Sequence, residues 1–72
     1  MSFDDRGLIA LARGCPKLEV IYLCAAPGVT DLGLAILSHR CPALRELDLS
    51  GSEVTDDGII ELIYACSRLA LL

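Results

Sequence analysis

Apolar residues along this chain fall into columns that return every 25 or 26 positions. Leu8, Leu34 and Ile59 form one column, followed by Leu11, Leu37 and Leu62, then Ala12, Ser38 and Ile63. Cys15, Cys41 and Cys66 come next, then Leu18, Leu44 and Leu69, and Ile21, Leu47 and Leu72. Leu23 pairs with Leu49, and Gly7, Gly33 and Gly58 make a glycine column. Self-similarity at one fixed period is the mark of stacked repeat units, each too small to bury its apolar face alone.

The spacing changes character within a unit. Leu34, Leu37, Ser38 and Cys41 stand at i, i+3, i+4 and i+7, which is one face of a helix. Leu8, Leu11, Ala12 and Cys15 repeat that spacing, as do Ile59, Leu62, Ile63 and Cys66. Thr30-Asp31 and Thr55-Asp56 offer a capping oxygen and a carboxylate at the positive helix end, and Asp4-Asp5 takes that part in the first unit. Phe3, Val29 and Val54, just before the caps, suit a hydrophobic staple. Pro16 and Pro42 mark the stops, with Ser67 in the third unit.

Beyond the stop the period becomes two. Ile21 and Leu23 alternate with Val20, Tyr22 and Cys24, while Leu47 and Leu49 alternate with Glu46, Asp48 and Ser50. That is a short strand with one face in the core. Residues 1–14 read as a half unit, 15–40 and 41–65 as full units, and 66–72 as the start of another, with no linker between them.

Strand, loop, helix and return, stacked by right-handed crossovers, give an α/β solenoid of parallel strands. Strands sit about 4.8 Å apart and helices roughly 8–10 Å apart. The stack must therefore curve, with strands on the concave side and helices on the convex side. The cysteine column falls at helix C-termini, where neighbouring units should hold Cα atoms beyond the roughly 6.8 Å a disulfide spans. Cys15, Cys41 and Cys66 read as reduced, buried fillers.

Composition narrows the function. The 72 residues are 54% apolar but only 4% aromatic, so the core is aliphatic. Six basic against ten acidic residues leave a net charge of −4, without a basic run, which sets aside a nucleic-acid surface. No apolar stretch approaches the roughly 18 residues that span a bilayer. The N-terminus lacks the order of a signal peptide, and without Asn there is no glycosylation sequon. The expectation is a reducing compartment, cytoplasmic or nuclear.

The motif Cys-Pro-x-Leu-x-x-Leu-x-Leu, a loop, then hydrophobic-Thr-Asp-x-Gly-hydrophobic resembles leucine-rich repeats of the cysteine-containing subtype. It runs Cys15-Pro16-Lys17-Leu18, Ile21, Leu23, then Val29-Thr30-Asp31-Leu32-Gly33-Leu34. It returns as Cys41-Pro42-Ala43-Leu44, Leu47, Leu49, then Val54-Thr55-Asp56-Asp57-Gly58-Ile59. This is similar to the repeats of F-box/leucine-rich-repeat proteins and their Amn1-like relatives. The resemblance implies a leucine-rich-repeat solenoid that recognises substrate for a cullin–RING ubiquitin ligase. A Skp-type adaptor and a cullin would then be reached only through an F-box, and none is seen in this chain. Where the family often has Cys or Asn, three residues after the second strand leucine, this chain has Ala26 and Ser52, and the second loop is one residue shorter.

The residues free to meet a protein partner are the outward strand positions Val20, Tyr22, Cys24, Glu46, Asp48 and Ser50. Tyr22 is the best anchor, and Glu46 with Asp48 suits a basic patch on the partner; the alternative is a solvated strand face. Asp31, Asp56 and the pairs Asp4-Asp5 and Asp56-Asp57 read as helix caps before catalytic or metal carboxylates. His39 and Cys41 are two residues apart and point to different sides of a helix, and no further ligands complete a zinc set. Cys24, on the outward face, lacks an activating neighbour.

The reading is an interaction module with no catalytic residues, cofactor or metal. The alternative is a regulator or signalling scaffold unrelated to ubiquitination. An enzyme would need a nucleophile and base converging in a pocket. Apolar ends such as Leu69-Ala70-Leu71-Leu72 suggest a longer array, and marginal stability or self-association of the segment alone.

Overall fold

The three segments with helical spacing form ten-residue helices: α1 (Asp5–Gly14), α2 (Asp31–Arg40) and α3 (Asp56–Ala65). Between and after them lie short strands, β1 (Val20–Tyr22), β2 (Glu46–Asp48) and β3 (Ala70–Leu71). The structure, a computed structural model, describes residues 3–23 and 26–71.

The strands pair in parallel in the order β1-β2-β3. Val20 stands beside Glu46, Ile21 beside Leu47, and Tyr22 beside Asp48. The helices pack in the same order, α1 on α2 and α2 on α3. The core between the layers holds the predicted columns: Leu8, Leu34, Leu37, Leu44, Leu47 and Leu62 are all fully buried. Truncating a leucine so placed costs roughly 2–5 kcal/mol, through lost burial and the cavity left behind. Ala12 and Ser38 are buried, but Ile63 in the same column stays 51% exposed. Ala12 and Ser38 each have a following helix packed beside their own, and among the described residues α3 does not.

The cysteine column closes each helix. The Cys15, Cys41 and Cys66 N–H groups donate to the Leu11, Leu37 and Leu62 carbonyls at 3.0, 2.9 and 2.8 Å. All three thiols are unbridged. They are more than apolar filler: Cys41 Sγ donates to the Cys15 carbonyl at 3.3 Å, and Cys66 Sγ to the Cys41 carbonyl at 3.6 Å. Cys41 and Cys66 thus each meet a backbone acceptor at the end of the preceding helix, whereas Cys15, at the end of the first helix, is only half-buried. Burial pushes the Cys41 and Cys66 thiols above their ordinary pKa.

The helix starts depart from expectation. Asp4 caps α1, its Oδ1 accepting from Arg6 N at 3.0 Å and Gly7 N at 3.3 Å. Thr30 caps α2 more weakly, accepting from Leu32 N at 3.3 Å, and Thr55 makes no side-chain cap bond at α3. The carboxylates of Asp5 and Asp31 stand in the first turns of α1 and α2, as expected, and also serve the next unit. Asp5 accepts from Thr30 N at 2.8 Å and Thr30 Oγ1 at 2.5 Å. Asp31 accepts from Thr55 N at 2.8 Å and from Thr55 Oγ1. Each carboxylate thus makes two charge-assisted bonds across the repeat boundary while remaining at the positive end of its own helix.

Loop chemistry follows the two departures from the family pattern. Ala26 is buried, and its carbonyl accepts from Val29 N at 3.1 Å, so the backbone closes its own turn. In the shorter second loop Gly51 takes a φ of 75°, a left-handed conformation that favours glycine. Ser52 then donates both its N–H and its hydroxyl to the Leu49 carbonyl, at 3.1 and 2.8 Å.

Candidate protein-binding face

The outward strand row stands on the side of the sheet away from the helices. Ile21 and Leu47 point into the core, so their neighbours must point out. Tyr22 is 59% exposed, while Val20, Glu46 and Asp48 are half-buried. Cys24 lies outside the described residues. Ser50 does not continue the row. It turns back on Asp48, whose Oδ1 accepts from Ser50 N at 2.9 Å and Ser50 Oγ at 2.6 Å. The strand therefore ends at Asp48, because this side chain takes an N–H the ladder would otherwise use.

Four side chains form one polar chain across the face. Tyr22 OH donates to Glu46 Oε1 at 3.1 Å. Arg45 Nη1 donates to Glu46 Oε2 at 3.2 Å, and Arg45 Nε to Glu19 Oε1 at 3.0 Å. The bond to Glu46, and then its charge, hold the Tyr22 phenol above its ordinary pKa. The two Ser50 bonds hold the Asp48 carboxyl below the usual range. Sequence reasoning missed Glu19 and Arg45. They share a column 26 residues apart with opposite charges, and that cross-unit pairing was the available signal.

The other candidates fall apart as chemistry. His39 is exposed while Cys41 is buried, so the two do not meet. Asp56 and Asp57 lie exposed in the first turn of α3. Among the described residues no three His, Cys, Asp or Glu side chains converge as a metal site, and no helix is long and apolar enough to cross a membrane.

Comparison with known proteins agrees with this architecture. A family model described as Leucine Rich repeat matches residues 40–62. The chain is 33% identical over 70 residues to the F-box protein SKIP1 of Arabidopsis thaliana, covering 96% of this chain and 23% of that protein. It is 35% identical over 69 residues to coronatine-insensitive protein homolog 1b of Oryza sativa subsp. japonica, covering 94% of this chain and 12% of that protein. To the F-box protein FBX14 of Arabidopsis thaliana it is 39% identical over 57 residues, covering 79% of this chain and 9% of that protein. The chain belongs to the leucine-rich-repeat family and has relatives among F-box proteins. It spans less than a quarter of the length of these curated relatives.

Proposed function

We propose that these repeats are a protein-interaction module, part of the substrate-recognition array of an F-box-type ubiquitin ligase adaptor. The observation that carries the interaction reading is the outward strand face, where an exposed Tyr22 is fixed by Glu46 beside further charged side chains. A large, semi-rigid amphipathic residue of this kind orders at low entropic cost when a partner arrives. The ligase assignment rests on the two relatives whose names carry the F-box.

In this reading the units belong to a longer right-handed superhelical array. Ile63 favours it, since a further unit would cover that side chain as its column mates are covered. The unbridged thiols suit a reducing compartment, the cytoplasm or the nucleus.

The test is affinity purification of the full-length protein that carries these repeats, followed by mass spectrometry. The reading expects a Skp-type adaptor and a cullin among the co-purifying proteins. Their clean absence, with a different partner enriched, would leave a binding array and remove the ligase role.

A further inference from the structure

We propose that the strand face takes one basic side chain of a protein partner, arginine or lysine, between Asp48 and Tyr22. This rests on the protein-binding reading above and names the chemistry of what is bound. Of the carboxylates on this face, Glu46 is committed: both its oxygens are engaged, one by Tyr22 and one by Arg45. Glu19 shares the same guanidinium. Asp48 differs. Ser50 holds its Oδ1 twice, and among the described residues Oδ2 has no partner.

Those two Ser50 bonds restrain the carboxylate before a ligand arrives. Tyr22 is its neighbour in register across β1 and β2, on strands about 4.8 Å apart. The Tyr22 hydroxyl is tethered to Glu46 while the ring stays more than half exposed. A held aromatic ring beside a held carboxylate attracts a cation twice, through the ring quadrupole and through a charge-assisted hydrogen bond.

Charge complementarity excludes the other occupants. Three acidic residues, Glu19, Glu46 and Asp48, face one Arg45, within a chain of net charge −4. An acidic or phosphorylated segment would be repelled. An apolar side chain would strip water from Asp48 without replacing its interaction.

Selection of random dodecapeptides displayed on phage tests the inference. Arginine or lysine should be enriched at one position among binders. For a selected peptide, Asp48→Asn should weaken binding about tenfold, and so should replacing the basic residue by citrulline or acetyl-lysine. The two changes together should cost little more than either alone. Binders without a basic residue, or binding indifferent to Asp48→Asn, would overturn the proposal. If Tyr22→Ala still weakens such peptides, the strand face remains a binding surface and only the basic side chain is lost. If Tyr22→Ala also has no effect, or no peptide binds, the surface reading falls with it. Unchanged amide chemical shifts away from the strand face confirm that each variant is folded.

Discussion

The carboxylate of Asp31 occupies the space that a side chain on Gly58 would need. A Cβ built on Gly58 meets Asp31 Oδ1 and comes within 2.6 Å of its Cγ. Asp5 stands the same way over Gly33, with Cγ at 2.8 Å. The aspartate, threonine and glycine of the Thr-Asp-x-Gly motif thus act in pairs of units. The aspartate of one unit reaches the threonine of the next, across a gap left by that unit's glycine.

Gly58→Ala should therefore destabilise the chain by about 1–3 kcal/mol, because the added methyl displaces a carboxylate held by two hydrogen bonds. Gly14→Ala is the control. Among the described residues nothing lies within 4 Å of a Cβ at Gly14, so alanine there should be neutral or stabilise by up to about 1 kcal/mol. Thermal or denaturant unfolding of the two variants checks the contrast. Equal losses would mean that the glycine column serves only helix geometry.

The latch should also respond to acid. Thr55 holds the Asp31 carboxyl below its ordinary pKa, through its hydroxyl first and its backbone N–H second. A group depressed on folding stabilises fully above its unfolded value, about 3.9, and its contribution is lost as pH falls through the lower folded value. Asp48 is depressed as well and acts over the same window. Melting temperature should begin to fall as the pH drops below about 4 and go on falling at lower pH, and Asp31→Asn should fall less steeply. Parallel curves for the two proteins would remove the latch as a source of acid sensitivity.

Thiol reactivity reports the cysteine column. Cys15 is half-buried, whereas Cys41 and Cys66 are buried with raised pKa values. Since the thiolate is the reactive form, iodoacetamide at neutral pH should label Cys15 well before Cys41 and Cys66. Peptide mass spectrometry over time gives the order. Early labelling of Cys41 would contradict its contact with the Cys15 carbonyl.

Periodicity made the helices, the strands and the buried leucines legible, because burial of one face is what the columns record. The carboxylates were legible only by position. A capping site is a local inference, whereas Asp31 answers to Thr55, 24 residues away, and only the stacking of units reveals that. The outward row had the same limit. Tyr22, Glu46 and Asp48 followed from alternation, but Ser50 turned back because Asp48 captures its N–H, a competition that a period of two does not encode. Glu19 and Arg45 lie just before their strands, outside the alternating pattern, and join the face by pairing across units.

The central claim is that partners are bound by the strand face and not by the helices. Tyr64, 85% exposed on α3, provides the comparison, because it is also a tyrosine but lies on the opposite layer. The most direct measurement compares the proteins co-purifying with Tyr22→Ala and Tyr64→Ala forms of the full-length protein. The account predicts that Tyr22→Ala loses a partner that Tyr64→Ala keeps. Loss with Tyr64→Ala alone, or retention of every partner by both, would contradict it.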